Sequence, residues 1–296
     1  MPTSPAPNAT AAELAPRASD LRRERVIRPP ALSLAAPFRA ISALQDHWDL
    51  FYTLTLHRIR VRYKQSLLGP AWAILQPLAT MGVLTVVFSY IARMPTGQMP
   101  YALFALAGIV PWICFSNAVM TGTQSLVSHA QLVTRVYFPR EIVPLTYVCA
   151  AVVDCAITAV LLLLLMAYYG IAPGPSAWLA LPILLLLVAL VTGVALAAAA
   201  TNVRFRDIGV AMPIVLQLLF FANPIAYSLG TVPEAFLDLY MLNPLVGIIE
   251  NFRRVMLDMG PLHVPSLAIS ALWAFVLLPA SYAWFKHVEA TAADVV

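Results

Sequence analysis

Charge is scarce in this sequence. Asp, Glu, Lys and Arg supply 11% of its 296 residues, against 61% hydrophobic, and the mean hydropathy is +0.81. Soluble domains carry about a quarter charged residues and about half apolar ones. So few polar side chains cannot cover a water-facing surface, which excludes an ordinary soluble domain and points to a chain with several membrane spans. Cysteine is sparse too. Cys114, Cys149 and Cys155 fall in apolar stretches, where they suit small core positions and suggest neither a disulfide framework nor a metal site.

Catalytic signatures are also missing. The sequence holds no GxxxxGK[ST] loop, so it lacks the usual cradle for nucleotide phosphates, and no HExxH, CxxC or GxSxG. His47, His57, His129, His263 and His287 are scattered near expected membrane boundaries and read as interfacial. Residues 1–38 contain seven prolines and no apolar stretch ahead of a cleavage site. They read as a disordered cytoplasmic tail and not as a secretory signal.

Six long apolar stretches are present, at 71–92, 101–127, 142–170, 177–201, 208–228 and 267–285. Each has about the 20 residues that cross a hydrocarbon core. Runs such as 161–165 lack strand alternation, so helices are expected, and a spanning helix satisfies its own backbone. With the N-terminus inside, fifteen Lys and Arg fall on the inner side and three on the outer; without the tail's five the ratio is ten to three. Both termini, including residues 286–296, are therefore expected in the cytoplasm. The cations flank spans and form no separate basic domain, so nucleic acid is not an expected partner.

Ahead of the first span, residues 45–64 read as an amphipathic interface helix. Asp49, Thr53, His57, Arg60 and Lys64 share one face, and Trp48, Phe51, Tyr52, Thr55 and Ile59 the other. Arg58 and Arg62 interrupt the apolar arc, from which long side chains can snorkel to headgroups. The helix breaks at Gly69-Pro70. The segment 39–70 thus forms an interface and entrance unit before a six-span domain at 71–285.

Polar residues inside the spans are few enough to name. Asp154 sits mid-way along the third stretch, and no Lys or Arg lies within any span to pair with it. It reads either as part of a path or as a protonated group bonded to a neighbouring helix. Asn117, Thr121, Gln124 and Ser128 form one helical face, suited to a hydrated path or to interhelical bonding. Gly193, Ala197 and Thr201 form a small-residue packing ridge. Trp72, Tyr90, Tyr101, Tyr168, Tyr169, Trp178, Tyr227 and Trp284 read mostly as interfacial belt residues. The inner loop 128–139 opens with Ser128 and Gln131 at capping-box spacing, as a short helix would. The outer segment 229–265 is apolar and proline-broken, which fits re-entrant half-helices. In it Glu250 and Arg254 have the spacing of a helical ion pair, and Arg253 or Arg254 is the alternative ligand for an anionic headgroup or pyrophosphate.

These residues carry a family likeness. RVRYKQSLLGPAWAILQP at 60–77 resembles the entry to the first span of permeases in ABC-type polysaccharide exporters, the class-two exporter permeases for O-antigen, capsule or teichoic-acid chains. FPREIVPL at 138–145 and NVRFRDIG at 202–209 resemble inner loops of that family, and NPIAYS at 223–228 and LNPLVGIIENFRRVML at 242–257 its outer region. The likeness covers about 45–285. It implies six spans, a homodimer and two copies of a cytoplasmic ATPase subunit that hold the ATP and magnesium, so that this chain needs no cofactor. It implies a bacterial inner-membrane location among membrane lipids and a lipid-linked glycan passing between protomers. By this likeness Arg58, Arg60, Arg62 and Lys64 mark the entrance and Asn117, Thr121, Gln124 and Asp154 are path candidates. Ser128, Gln131, Arg135 and Tyr137, with Arg204 and Arg206, would contact the ATPase. A drug or small-lipid exporter of the same architecture is the alternative, and an ion-coupled carrier a more remote one.

Overall fold

The computed structural model describes residues 47–64, 68–94, 99–131 and 138–293. The described residues are helical, with no strand among them. In chain order the α-helices are α1 (Trp48–Tyr63), α2 (Trp72–Leu84, continued as a π-helix over Thr85–Ile91), α3 (Tyr101–Ser128), α4 (Ile142–Tyr168), α5 (Ala180–Arg204), α6 (Asp207–Phe221), α7 (Glu234–Met241), α8 (Pro244–Leu257) and α9 (Val264–Ala293). Five helical stretches are long and apolar enough to cross a membrane: Gly69–Ile91, Tyr101–Ser128, Ile142–Tyr168, Ala177–Arg204 and Val264–Thr291. The chain is a multi-pass membrane protein.

The expected fifth span differs. Instead of running over 208–228, α6 has 15 residues and stops at Phe221. At 1.5 Å per residue that is about 22 Å, short of a core of about 30 Å. The stop is local: Pro224 disfavours helix in Asn223 before it. Asn223 donates to the carbonyl of Leu219 and accepts from Asn243, and the turn from Asn223 to Ala226 is buried. The last helix runs longer than 267–285 at both ends.

α3 is the centre of the bundle, buried along most of its length. It packs on α4, α5, α8 and α6. Small residues set the spacing: a Cβ on Gly122 would lie 3.0 Å from the Cβ of Ala195, and one on Gly193 3.2 Å from the backbone of Leu278. The 193–201 ridge is thus a packing surface for α9, and Thr201 accepts from the Trp284 indole. At one end of the bundle, here the near end, Phe51, Leu126, Phe138, Ile142, Tyr147, Ala199 and Phe285 share a cluster. At the far end Phe88 stacks on Tyr101. Tyr101 is not a belt residue: it is buried and donates to the carbonyl of Ala226. Trp72, Tyr90, Tyr168 and Trp178 are exposed.

The segment 229–265 holds two short α-helices, α7 and α8. Asn243 caps α8 by accepting from the amide of Leu245, with Pro244 in the first turn. α8 is buried on nearly every side, between α3, α5 and α9. At its crossing with α9, a Cβ on Gly247 would come 2.3 Å from the Ser266 carbonyl oxygen. Gly247→Ala therefore forces the two helices apart and lowers stability by about 1–3 kcal/mol. That is a fall of several degrees in the melting temperature of the detergent-purified protein. Gly82→Ala, where a Cβ meets nothing within 4 Å, leaves that temperature unchanged or slightly raised.

Candidate functional site

The cation-bearing segment α1 does not lie across the end of the bundle. Leu54 lines a small recess with Val143 and Thr146 of α4, Arg58 meets Tyr147, and Arg62 meets Asp154. Successive contacts advance in the same direction on both helices, so α1 runs beside the first three turns of α4. Its packing face overlaps the apolar arc read in the sequence in part, since Phe51 is buried and Thr55 and Ile59 are half-buried. Leu50, Leu54 and Arg58 are also half-buried, whereas Trp48 and Tyr52 are 55% exposed. The expected polar face of Asp49, Thr53, His57, Arg60 and Lys64 is exposed throughout.

The two arginines on the packing face are held, not snorkelling. The Arg58 guanidinium lies 3.5 Å from the Tyr147 ring centroid and 3.0 Å from His129 Nε2. A guanidinium only donates, so His129 Nε2 accepts and its Nδ1–H donates to the Ser125 carbonyl at 3.0 Å. Burial pulls Arg58 below its ordinary pKa, and the Tyr147 hydroxyl opposes that shift. One turn on, Arg62 donates to Asp154 Oδ2, and Asn117 Nδ2 donates to the same oxygen at 3.1 Å. Asp154 thus has a cation after all, supplied from outside the spans. Its side chain is 8% exposed and that of Arg62 37%.

The α3 stripe is brought together as read. Asn117 and Thr121 are half-buried and Gln124 and Ser128 exposed, so the face opens toward the near end with Asp154 at its inner limit. Ser128 does not open a new helix. It is the last residue of α3, and its hydroxyl donates to the Gln124 carbonyl at 2.7 Å. Gln131 is exposed at the edge of this region, while Arg135 and Tyr137 lie outside the described residues. Arg204 and Arg206 are exposed on the turn between α5 and α6. That turn is pinned by Asn202, which donates to the Thr123 carbonyl and accepts from the Gly209 amide.

At the far end Glu250 bonds Arg254 Nε at 2.9 Å and lies 3.4 Å from Arg253 Nη1. Arg253 is 1% exposed. Its guanidinium stacks 3.8 Å from the Phe104 centroid and donates to the carbonyls of Pro224 and Ile225. No headgroup can reach it; it is a staple between α8, α3 and the turn after α6. Arg254 donates to Glu250 and the Pro261 carbonyl. Sequence reading missed the partners: His129, Tyr147, Asn202, and a near-end cluster in which Lys286 bonds Glu141 at 2.7 Å and Glu289 at 2.9 Å. Glu141 is 145 positions from Lys286, and its one signal was a carboxylate at the mouth of an apolar span.

Comparison with known proteins identifies the family. The model of the ABC-2 type transporter family matches residues 49–257. The chain belongs to that family. It is 27% identical over 250 residues to the O-antigen export system permease protein RfbA of Klebsiella pneumoniae, covering 84% of this chain and 95% of that protein. It is 28% identical over 246 residues to the O-antigen export system permease protein RfbA of Myxococcus xanthus, covering 82% and 94%. It is 26% identical over 241 residues to the polysialic acid transport protein KpsM of Escherichia coli, covering 80% and 92%.

The two far-end arginines give opposite expectations. In this ABC-2 permease Arg253→Leu strands two buried carbonyls and lowers stability by about 2 kcal/mol or more. Arg254→Gln removes one partly exposed pair and costs about 0.5 kcal/mol or less. Melting of the purified protein separates the two.

Proposed function

We propose that this chain is the membrane-spanning permease of an ATP-driven exporter that moves a lipid-linked polysaccharide, such as an O-antigen on a polyprenyl pyrophosphate, across the bacterial inner membrane. The observation that carries the reading is the similarity to O-antigen export permeases over 95% of the Klebsiella protein's length. In this reading the near end is cytoplasmic, with both termini there. α6 serves as a short fifth of six spans, and α7 and α8 are the re-entrant half-helices. Two copies pair, each with one ATPase subunit that supplies ATP hydrolysis. Exposed Arg204 and Arg206, on the near-end turn between α5 and α6, support that orientation by the positive-inside bias.

The arrangement divides the labour among the cations. Arg60 and Lys64 point away from α4 and are the entrance residues for a pyrophosphate. Arg204 and Arg206, on a turn stiffened by Asn202, are contacts for the ATPase, together with the 128–139 segment. Asn117, Thr121 and Gln124 line the path.

Deleting the gene tests the reading. Surface polysaccharide disappears and its lipid-linked form accumulates inside the cell; intact surface polysaccharide in the deletion strain would refute it and favour drug or small-lipid export. Arg60→Gln with Lys64→Gln lowers export at least about fivefold, the equivalent of about 1 kcal/mol, while the assembled complex is recovered in normal amount. Arg204→Glu with Arg206→Glu instead reduces copurification of the ATPase subunit; undiminished copurification would remove that contact from the scheme.

A further inference from the structure

We propose that Asp154 and Asn117 form an intramembrane latch that holds the entrance helix α1 closed over the inner limit of the α3 polar face, with Arg62 as its bolt. The proposal rests on reading α1 as the entrance and adds to it a role for Asp154 as a positioning residue, neither a path residue nor a proton carrier.

Four observations meet at this point. Asp154 lies twelve residues into the 27-residue α4, about 18 Å from its near end. A carboxylate at that depth is costly unless paired. Its cation comes from no spanning helix but from α1, whose last turn carries Arg62. Asn117, the inner limit of the α3 polar face, bonds the same carboxylate oxygen. The pair therefore joins three helices where the polar face ends.

The chain around the pair suits a movable element. α1 is attached to the bundle mainly through α4. Gly69 between α1 and α2 holds φ at 49° and is followed by Pro70, a break that no ordinary residue adopts without strain. Beyond the break, Ile74 of α2 shares an apolar groove with Val153 and Ile157 of α4, directly beside Asp154. α1 also carries a second attachment one turn earlier. Arg58 is bonded to His129, at the junction of α3 with the loop assigned to the ATPase. One face of α1 thus bonds to the ATPase-side end of α3 and to the middle of the membrane domain. A displacement of His129 would tilt the helix that carries Arg62. The bolt is stable at rest because separating it takes the Arg62 cation from a carboxylate in a low-dielectric site.

The test uses the permease assembled with its ATPase subunit in liposomes loaded with a small self-quenching dye, with no ATP and no glycan. Asp154→Asn and Arg62→Gln each raise the resting dye leak about tenfold, the range of an ordinary coupling energy. The exchanged pair, Arg62→Asp with Asp154→Arg, brings the leak back near the unmodified level, since the Asn117 amide can turn its oxygen to the new cation. Arg62→Gln alters a side chain that is 37% exposed and leaves every span intact, so it reports even where a change at Asp154 reduces assembly. Single variants that assemble and stay tight overturn the latch, as does an exchanged pair that leaks as much as the singles. No glycan is present, so the result does not depend on the substrate assignment. Failure of the polysaccharide reading alone would leave the leak pattern standing.

Discussion

A carboxylate in the middle of a spanning helix constrains everything near it. A carboxylate at the depth of Asp154 is costly without a cation, and the spans contain no Lys or Arg for it. The structure meets the constraint by bringing Arg62 in on a helix that precedes the first span. That helix therefore runs beside α4 and not flat across the near end. The position of α1, the partial burial of Arg58 one turn earlier and the split of the α1 cations into two that bond α3 and α4 and two that do not accord with that one pairing.

The same rule shapes both ends of the bundle. At the near end Glu141 is 3% exposed and bonds Lys286 and the Tyr282 hydroxyl, fixing the start of α4 to the last turns of α9. At the far end Arg253 bonds Glu250 and the turn that closes α6. A Cβ on Gly108 would lie 2.6 Å from Arg253 Nη2, so the α3 glycine is there to admit the guanidinium. Lipid supplies little drive for helices to associate. Tight small-residue crossings and hydrogen-bonded buried charges supply specificity in its place.

Much of this was legible in the sequence. The second, third and fourth apolar stretches fall within three residues of α3, α4 and the Ala177–Arg204 segment, because each is a long apolar run bounded by polar or turn residues. α6 was misjudged because hydropathy continues past Phe221 while the backbone cannot: Asn223-Pro224 ends the helix within an apolar run. The α1 face was misjudged for another reason. Arg58 and Arg62 read as snorkelling from the apolar arc to headgroups, and only the fold reveals Tyr147, His129 and Asp154 opposite them. Partners separated by 71, 92 and 145 positions leave no local pattern to read.

The held and exposed cations argue for a division of function that charge counting misses. Arg58, Arg60 and Arg62 lie on α1 and Lys64 directly follows it; Arg58 and Arg62 bond to α3 and α4, whereas Arg60 and Lys64 are exposed. Summed as charge, the four form one basic patch. Resolved by direction, two are internal bonds and two face outward. An anionic ligand drawn to the outward pair would approach α1 from the side away from Asp154 and would not need to break the latch to bind. On the proposed reading of α1 as the entrance, attraction and opening are then separate events, and opening belongs to the element that moves His129 and Asp154 relative to α1.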